Sequence, residues 1–268
     1  MAAPLPQARM RRSKGELREL VLASGRGILR SQGLGTGVER LTFKKVLDHL
    51  QETEGIRITQ ASLIRRVWTN QEEFQRDVVE SIIRDESERE ISSVGDSLSG
   101  TFARIDLSSP EMRRASLAEL IRASTEDYLS LTDSPLSTIQ TALIACALAG
   151  GGAGTDDEFL AIIGRATERL AHFYVELYES ALEFIGFRVR PGMRIEQMAI
   201  IILSLGEGSM LRRSTNPDVF DPIVLPRELD GMDVDWDLFG FGVKAIVEAF
   251  VEEDLDWSIP GESLIPSL

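Results

Sequence analysis

The chain has 268 residues, 43% of them hydrophobic, and a formal net charge of −14. That is enough for one large or two modest domains with a real core. Its longest apolar run, MAIIILSL at 198–205, is far shorter than a bilayer span, and the N-terminus lacks the apolar stretch of a signal peptide. We therefore expect a cytoplasmic protein with no membrane partner. The single cysteine, Cys146 in TIQTALIACALA, leaves neither a disulfide framework nor a cysteine-based metal site available, and reads as a buried inert thiol.

An acidic surface repels nucleic acid, but the charge here is unevenly placed. Residues 1–66 hold 13 Lys and Arg against 6 Asp and Glu, a net of +7, whereas the remaining 202 hold 16 against 37, a net of −21. A basic N-terminal segment is joined to a very acidic body, a split that points to two jobs.

Period-2 alternation is nearly absent and apolar residues recur at helical spacing, so an all-α protein is expected. QARMRRSK opens the chain with Arg9, Arg11, Arg12 and Lys14 and no apolar periodicity, so residues 1–12 read as a flexible basic arm. Such an arm can follow a phosphate backbone or enter a minor groove. Ser13 to Glu16 has the form of a capping box, followed by a stripe of Leu17, Leu20, Val21, Ile28 and Leu29 that stops near Gly33. Thr42 caps a second helix with Phe43, Val46, Leu47 and Leu50 on one face, ending near Gly55. Thr59 caps a third, very short helix that carries Leu63, Ile64 and Val67 inward. Asn70 to Glu73 is another capping box, opening a longer helix with Phe74, Val78, Ile82 and Ile83 buried. Residues 13–90 thus form one compact unit and 91–268 another.

In the second unit Ser109-Pro110 and Ser134-Pro135 each read as an N-cap followed by proline at the first helical position. Long helices are expected over about 156–187 and 194–213, then a Pro/Asp-rich connection over 214–233, then a last helix from about Trp236 to Trp257.

The short third helix leaves Gln60, Ala61, Ser62, Arg65 and Arg66 as its outward candidates. Arginine grips guanine O6 and N7 or a phosphate, glutamine pairs with adenine, and small residues allow close approach. The backbone N–H groups that follow Thr59 suit a phosphate. A short basic second helix after a tight turn is how a helix-turn-helix protein reads the major groove.

From LRELVLASGRGILRSQGLG through LTFKKVLDHL to ITQASLIRRVWTNQEEFQRDV, residues 13 to about 85 resemble the TetR-type transcriptional regulators. In that alignment Trp68 matches the aromatic residue closing the recognition helix, Thr69-Asn70 the polar cap, and Phe74 the first buried residue of helix four. Gln71 stands where the family usually has Lys, and the family's phosphate-binding Tyr falls on Ile64 or Arg65. The resemblance implies an N-terminal three-helix helix-turn-helix DNA-binding domain plus a larger helical ligand-binding and dimerisation domain. It also implies a homodimer on a palindromic double-stranded DNA operator, repressing until a small-molecule effector releases it. The helix from Asn70 to about residue 90 would be the lever.

For the body, Phe102, Tyr128, Phe159, Phe173, Tyr174, Tyr178 and Met198 are candidates to line an effector cavity, although large apolar side chains more often fill the core. The acidic surroundings favour a hydrophobic or cationic effector over an anionic one. Enzymatic chemistry is not expected. Glu168, His172 and Glu176 share a helix face, a spacing that suits a metal but more commonly forms an exposed charge ladder. Asp233, Asp235 and Asp237 resemble a calcium loop but lack its glycine, at Leu238, and its glutamate, at Lys244. AGGGAGTDD lacks the Lys-Ser/Thr of a phosphate loop and reads as a terminator. No cofactor or metal is expected. The alternative to a DNA regulator is a helical interaction protein whose basic unit binds an acidic protein partner, followed by a helical enzyme built on His172.

Overall fold

The computed structural model describes residues 12–33, 38, 41–132, 134–149, 157–229 and 232–259. The chain divides into two compact units, 1–83 and 84–268, with the division inside one long helix.

In the first unit, α1 (Lys14–Gln32) starts on the expected capping box: Ser13 Oγ accepts the Glu16 N–H while the Glu16 carboxylate accepts the Ser13 N–H. The Ser13 backbone N–H, and after it the Ser13 hydroxyl, hold the Glu16 carboxyl below its ordinary pKa. α2 (Phe43–Glu54) is capped by Thr42, and Gly55 closes it in the left-handed conformation (φ 66°) that favours glycine. α3 (Gln60–Arg66) is capped by Thr59, whose hydroxyl accepts the Ser62 N–H. α4 (Gln71–Phe102) opens with Asn70 Oδ1 accepting the Glu73 N–H, while the Glu73 carboxylate reaches back to the backbone and hydroxyl of Thr69.

Leu17, Val21, Phe43, Val46, Leu50, Leu63, Phe74 and Val78 fill the core of this unit. Phe43, Trp68 and Phe74 cluster at its centre, with ring centroids 4.8 to 6.0 Å apart. Ser24 Oγ lies 2.9 Å from His49 Nδ1, so His49 ties α2 to α1. Gly25 permits the α1 crossing, since a Cβ there would stand 3.1 Å from Val78.

The second unit is built from the rest of α4 with α5 (Pro110–Thr132), α6 (Pro135–Ala149), α7 (Asp157–Ile185), α8 (Ile195–Thr215) and α9 (Leu238–Phe250). Ser109 and Ser134 cap α5 and α6 as expected. Its core runs from Val94 and Leu98 through Leu177, Ile185, Met198 and Ile202 to Trp236, Phe239 and Val247. No helix among the described residues is long and apolar enough to cross a membrane.

The molecule is mostly helical, in keeping with the all-α expectation, and it carries two short antiparallel pairs that the expectation did not include. β1 (Phe187–Val189) pairs with β4 (Val251–Glu253), so the last helix stops at Phe250 and does not reach Trp257. β2 (Ile223–Leu229) pairs with β3 (Met232–Trp236); β2 lies inside the segment expected to be a connection, β3 runs past its end at 233, and the last helix starts at Leu238. The first pair was hidden by length, because a three-residue strand shows no period, and the second by Pro226, which interrupts the pattern of β2. Asp237, from the rejected calcium-like run, is the N-cap of α9.

Candidate functional site

α3 is held by one buried side chain, Leu63, and the rest of it is presented outward. Gln60, Ala61 and Arg65 are exposed, and Ser62 and Arg66 are half-buried. Ile64 departs from the expected inward stripe: it is 42% exposed. The cause is length, because α3 ends at Arg66 and a seven-residue helix turns only one side chain fully into the core. Beyond it Val67 is half-buried and Trp68 takes the anchoring place, 1% exposed.

Arg66 Nη2 donates to the Arg12 carbonyl at 2.8 Å, which ties the backbone just ahead of α1 to α3. Arg12 is exposed there, and Arg11 lies outside the described residues. Thr59 keeps its hydroxyl proton available, because the oxygen acts as an acceptor in the cap. Gln71 is half-buried at the first position of α4. The first unit therefore gathers an arginine-bearing face, with Gln60, Ala61, Ile64 and Arg65 all turned to solvent.

Two cavities of the second unit are lined by candidate effector residues; a third, more open one of about 350 Å³ is lined by Ser97, Arg104, Glu119, Arg122 and Glu126 among others and holds none of those candidates. Of the first two, one, of about 60 Å³, is apolar and lined by Leu98, Leu120, Leu177, Tyr178, Met198 and Val243 among others. The other, of about 70 Å³, is acidic. Glu86, Arg89 and Glu90 of α4, Tyr128 of α5, Ser137, Gln140, Thr141 and Ile144 of α6, Leu170 of α7, and Leu203, Glu207 and Met210 of α8 line it. Tyr174 donates its hydroxyl to Glu90 Oε1 at 2.7 Å. Burial nonetheless pushes the Glu90 carboxyl up to about 7, because the desolvation of a carboxylate outweighs that hydrogen bond. Desolvation likewise raises Glu207, and it raises Tyr128, Tyr174 and Tyr178 well above the ordinary phenol value.

Of the candidate cavity residues, Tyr128 lines the acidic cavity, and Tyr178 and Met198 line the apolar one. Tyr174 anchors Glu90, Phe102 packs edge-on against Phe184 at 5.5 Å, and Phe173 packs edge-on against Tyr174 at 5.3 Å. The side chains of Phe159 and Cys146 lie outside the described residues. Sequence reasoning missed Glu86 and Glu90. Their signal was present in the four-residue series Phe74, Val78, Ile82, Glu86, Glu90, Val94, Leu98, Phe102, in which two acids occupy positions otherwise given to apolar residues.

His172 Nε2 stands 3.2 Å from Glu176 Oε1 on an exposed face of α7. Among the described residues, no group of three or more His, Cys, Asp or Glu converges as a metal ion requires. Comparison with known protein families, curated proteins and solved structures found no match.

Proposed function

We propose that this chain is a TetR-like DNA-binding transcriptional regulator, a homodimeric repressor released by a small-molecule effector. The observation that carries the reading is the short α3, anchored by Leu63 and followed by buried Trp68, which turns Gln60, Ala61, Ile64 and Arg65 to solvent within the only basic part of an acidic chain. In a helix-turn-helix arrangement, Arg65 and Arg66 would take guanine edges or phosphates, Gln60 an adenine, and Ala61 and Ser62 would allow close approach. Thr59, Gln71 and the arm with Arg11 and Arg12 would hold the backbone.

Dimerisation is supported by α8, where Ile200 and Leu211 are exposed and, eleven residues apart, share a helix face, with exposed Ile201 on the neighbouring flank. A two-fold dimer doubles a readout that one seven-residue helix makes small. An effector that favours a conformer with the two recognition helices wrongly spaced would lower operator affinity by that preference. The test is selection of bound sequences from a random double-stranded DNA library. A palindromic consensus enriched by the protein, and not enriched by Arg65→Ala/Arg66→Ala, is expected.

A further inference from the structure

We propose that the acidic cavity of the second unit is a binding site for a small organic cation of trimethylammonium size, recognised by Glu90 from inside and Glu207 from the rim. The inference deepens the effector reading by giving the effector a chemical class, but binding itself stands independently of any DNA contact.

The argument begins with the charges that face the cavity. α4 contributes Glu86, Arg89 and Glu90, α5 contributes Tyr128, α7 contributes Tyr174 and Tyr178 behind the wall, and α8 contributes Glu207, whereas the cavity face of α6 carries no ionisable group. Arg89 is already spent: its Nη2 lies 2.6 Å from Glu86 Oε2, and Ser137 Oγ donates to the same oxygen at 3.0 Å. In that contact the Glu86 and Arg89 charges oppose each other. Glu90 and Glu207 remain, and neither forms an ion pair among the described residues. Two carboxylates thus look into a space whose one lining cation among the described residues, Arg89, is paired with Glu86; the Arg89 charge only partly offsets the burial of Glu90, and Glu207 opposes its ionisation.

The remaining lining says what kind of cation would fit. Leu170, Leu203, Ile144 and Met210 supply apolar and polarisable walls, and the Tyr128 ring supplies an aromatic surface. A bare metal ion would need several carboxylate or imidazole ligands converging on it, and among the described residues no such group of three comes together. Methyl groups carrying a delocalised positive charge suit both the walls and the carboxylates. The Tyr128 hydroxyl has no hydrogen-bond partner among the described residues and stands against the bare backbone of Gly206, where a Cβ would come within 2.7 Å of it. A small polar substituent on the ligand can use that hydroxyl.

Size selects further. One water takes about 10–15 Å³ on this measure, so about 70 Å³ accommodates a group of about five heavy atoms. Tetramethylammonium has that number, as does a trimethylammonium head counted with the methylene that carries it. Glu207, exposed at the rim, would draw the cation in, and Glu90 would hold it.

The experiment is isothermal titration of the full chain with tetramethylammonium, with choline, and with 3,3-dimethylbutan-1-ol, the uncharged isostere of choline, in the absence of DNA. Saturable binding of both cations at pH 8, with no saturable heat from the alcohol, is expected. Glu90→Gln should weaken choline binding roughly tenfold or more, the scale of a lost charge-assisted contact, and Glu207→Gln by less. In the unmodified protein, lowering the pH from 8 to 6 should weaken it several-fold, as Glu90 takes up its proton. The inference is overturned by equal binding of choline and the alcohol, by an affinity unchanged in Glu90→Gln or between pH 8 and 6, or by no saturable heat from either cation up to tens of millimolar. Because no DNA is present, failure to bind an operator would leave this result untouched.

Discussion

The Trp68 indole N–H donates to Asp77 Oδ2 at 2.6 Å, and the same oxygen accepts Arg18 Nε at 3.0 Å. One carboxylate oxygen therefore joins the residue that closes α3 to α4 and to α1. Because Trp68 is buried, removing its acceptor leaves an N–H without water to replace it. Asp77→Ala should cost about 1–3 kcal/mol, read as a lower urea midpoint and as faster amide exchange in α3 than elsewhere. An unchanged midpoint would show that the bond contributes nothing to holding α3.

Ile64 supplies a sharper division between stability and function. It is exposed, so Ile64→Ala should change stability by less than about 0.5 kcal/mol. If α3 enters a major groove, the same side chain can meet a thymine methyl group. Affinity for the selected operator should therefore fall several-fold in a variant whose melting temperature does not move, and equal affinity would remove Ile64 from the interface.

Glu90 gives the second unit an unusual pH dependence. Its folded pKa, about 7, lies above the unfolded value of 4.5, so between these the folded state binds more protons than the unfolded one. Stability from this group is fully present below the unfolded value and is lost as pH rises through the folded one, a loss of about 3 kcal/mol across the window. Glu90→Gln removes the dependence. Melting temperatures measured from pH 5 to pH 8 should show the variant gaining on the parent protein as pH rises, and parallel curves would mean that Glu90 is not desolvated.

Gly206 tests the geometry of the same region. A Cβ there would lie 2.7 Å from the Tyr128 hydroxyl, so Gly206→Ala must push the phenol aside or lose roughly 1–3 kcal/mol as overpacking. Tyr128→Leu removes the hydroxyl and also the two ring carbons 2.8 and 3.0 Å from that Cβ, so Gly206→Ala should lower the melting temperature less in that background than in the parent protein. An equal loss in both would place the cost elsewhere.

The helices were legible because their caps are local chemistry. Ser13, Thr42, Thr59, Ser109 and Ser134 each act within three residues of themselves, and each makes the expected bond. The outward placing of Gln60, Ala61 and Arg65 was equally legible from spacing. Ile64 was not, because a pattern assumes a helix long enough to complete its stripe. The β1–β4 pair joins residues that are distant in sequence, through register and the Arg188–Glu252 ion pair at 3.0 Å, which no local window contains. The acidic cavity was hidden for a related reason. Glu90 and Glu207 sit on different helices, and only the fold puts them on one wall, although the acids interrupting the apolar series of α4 marked half of it.

The most direct test is fluorescence-anisotropy titration of the protein against DNA flanking its own gene, beside scrambled DNA and the Arg65→Ala/Arg66→Ala variant, at low and physiological salt. Tight, sequence-selective binding that weakens steeply with salt and is lost in the variant is the expected result. Equal binding to scrambled DNA, or no binding at low salt by protein that is folded and dimeric, would contradict the regulator reading and turn attention to an acidic protein partner for the basic unit.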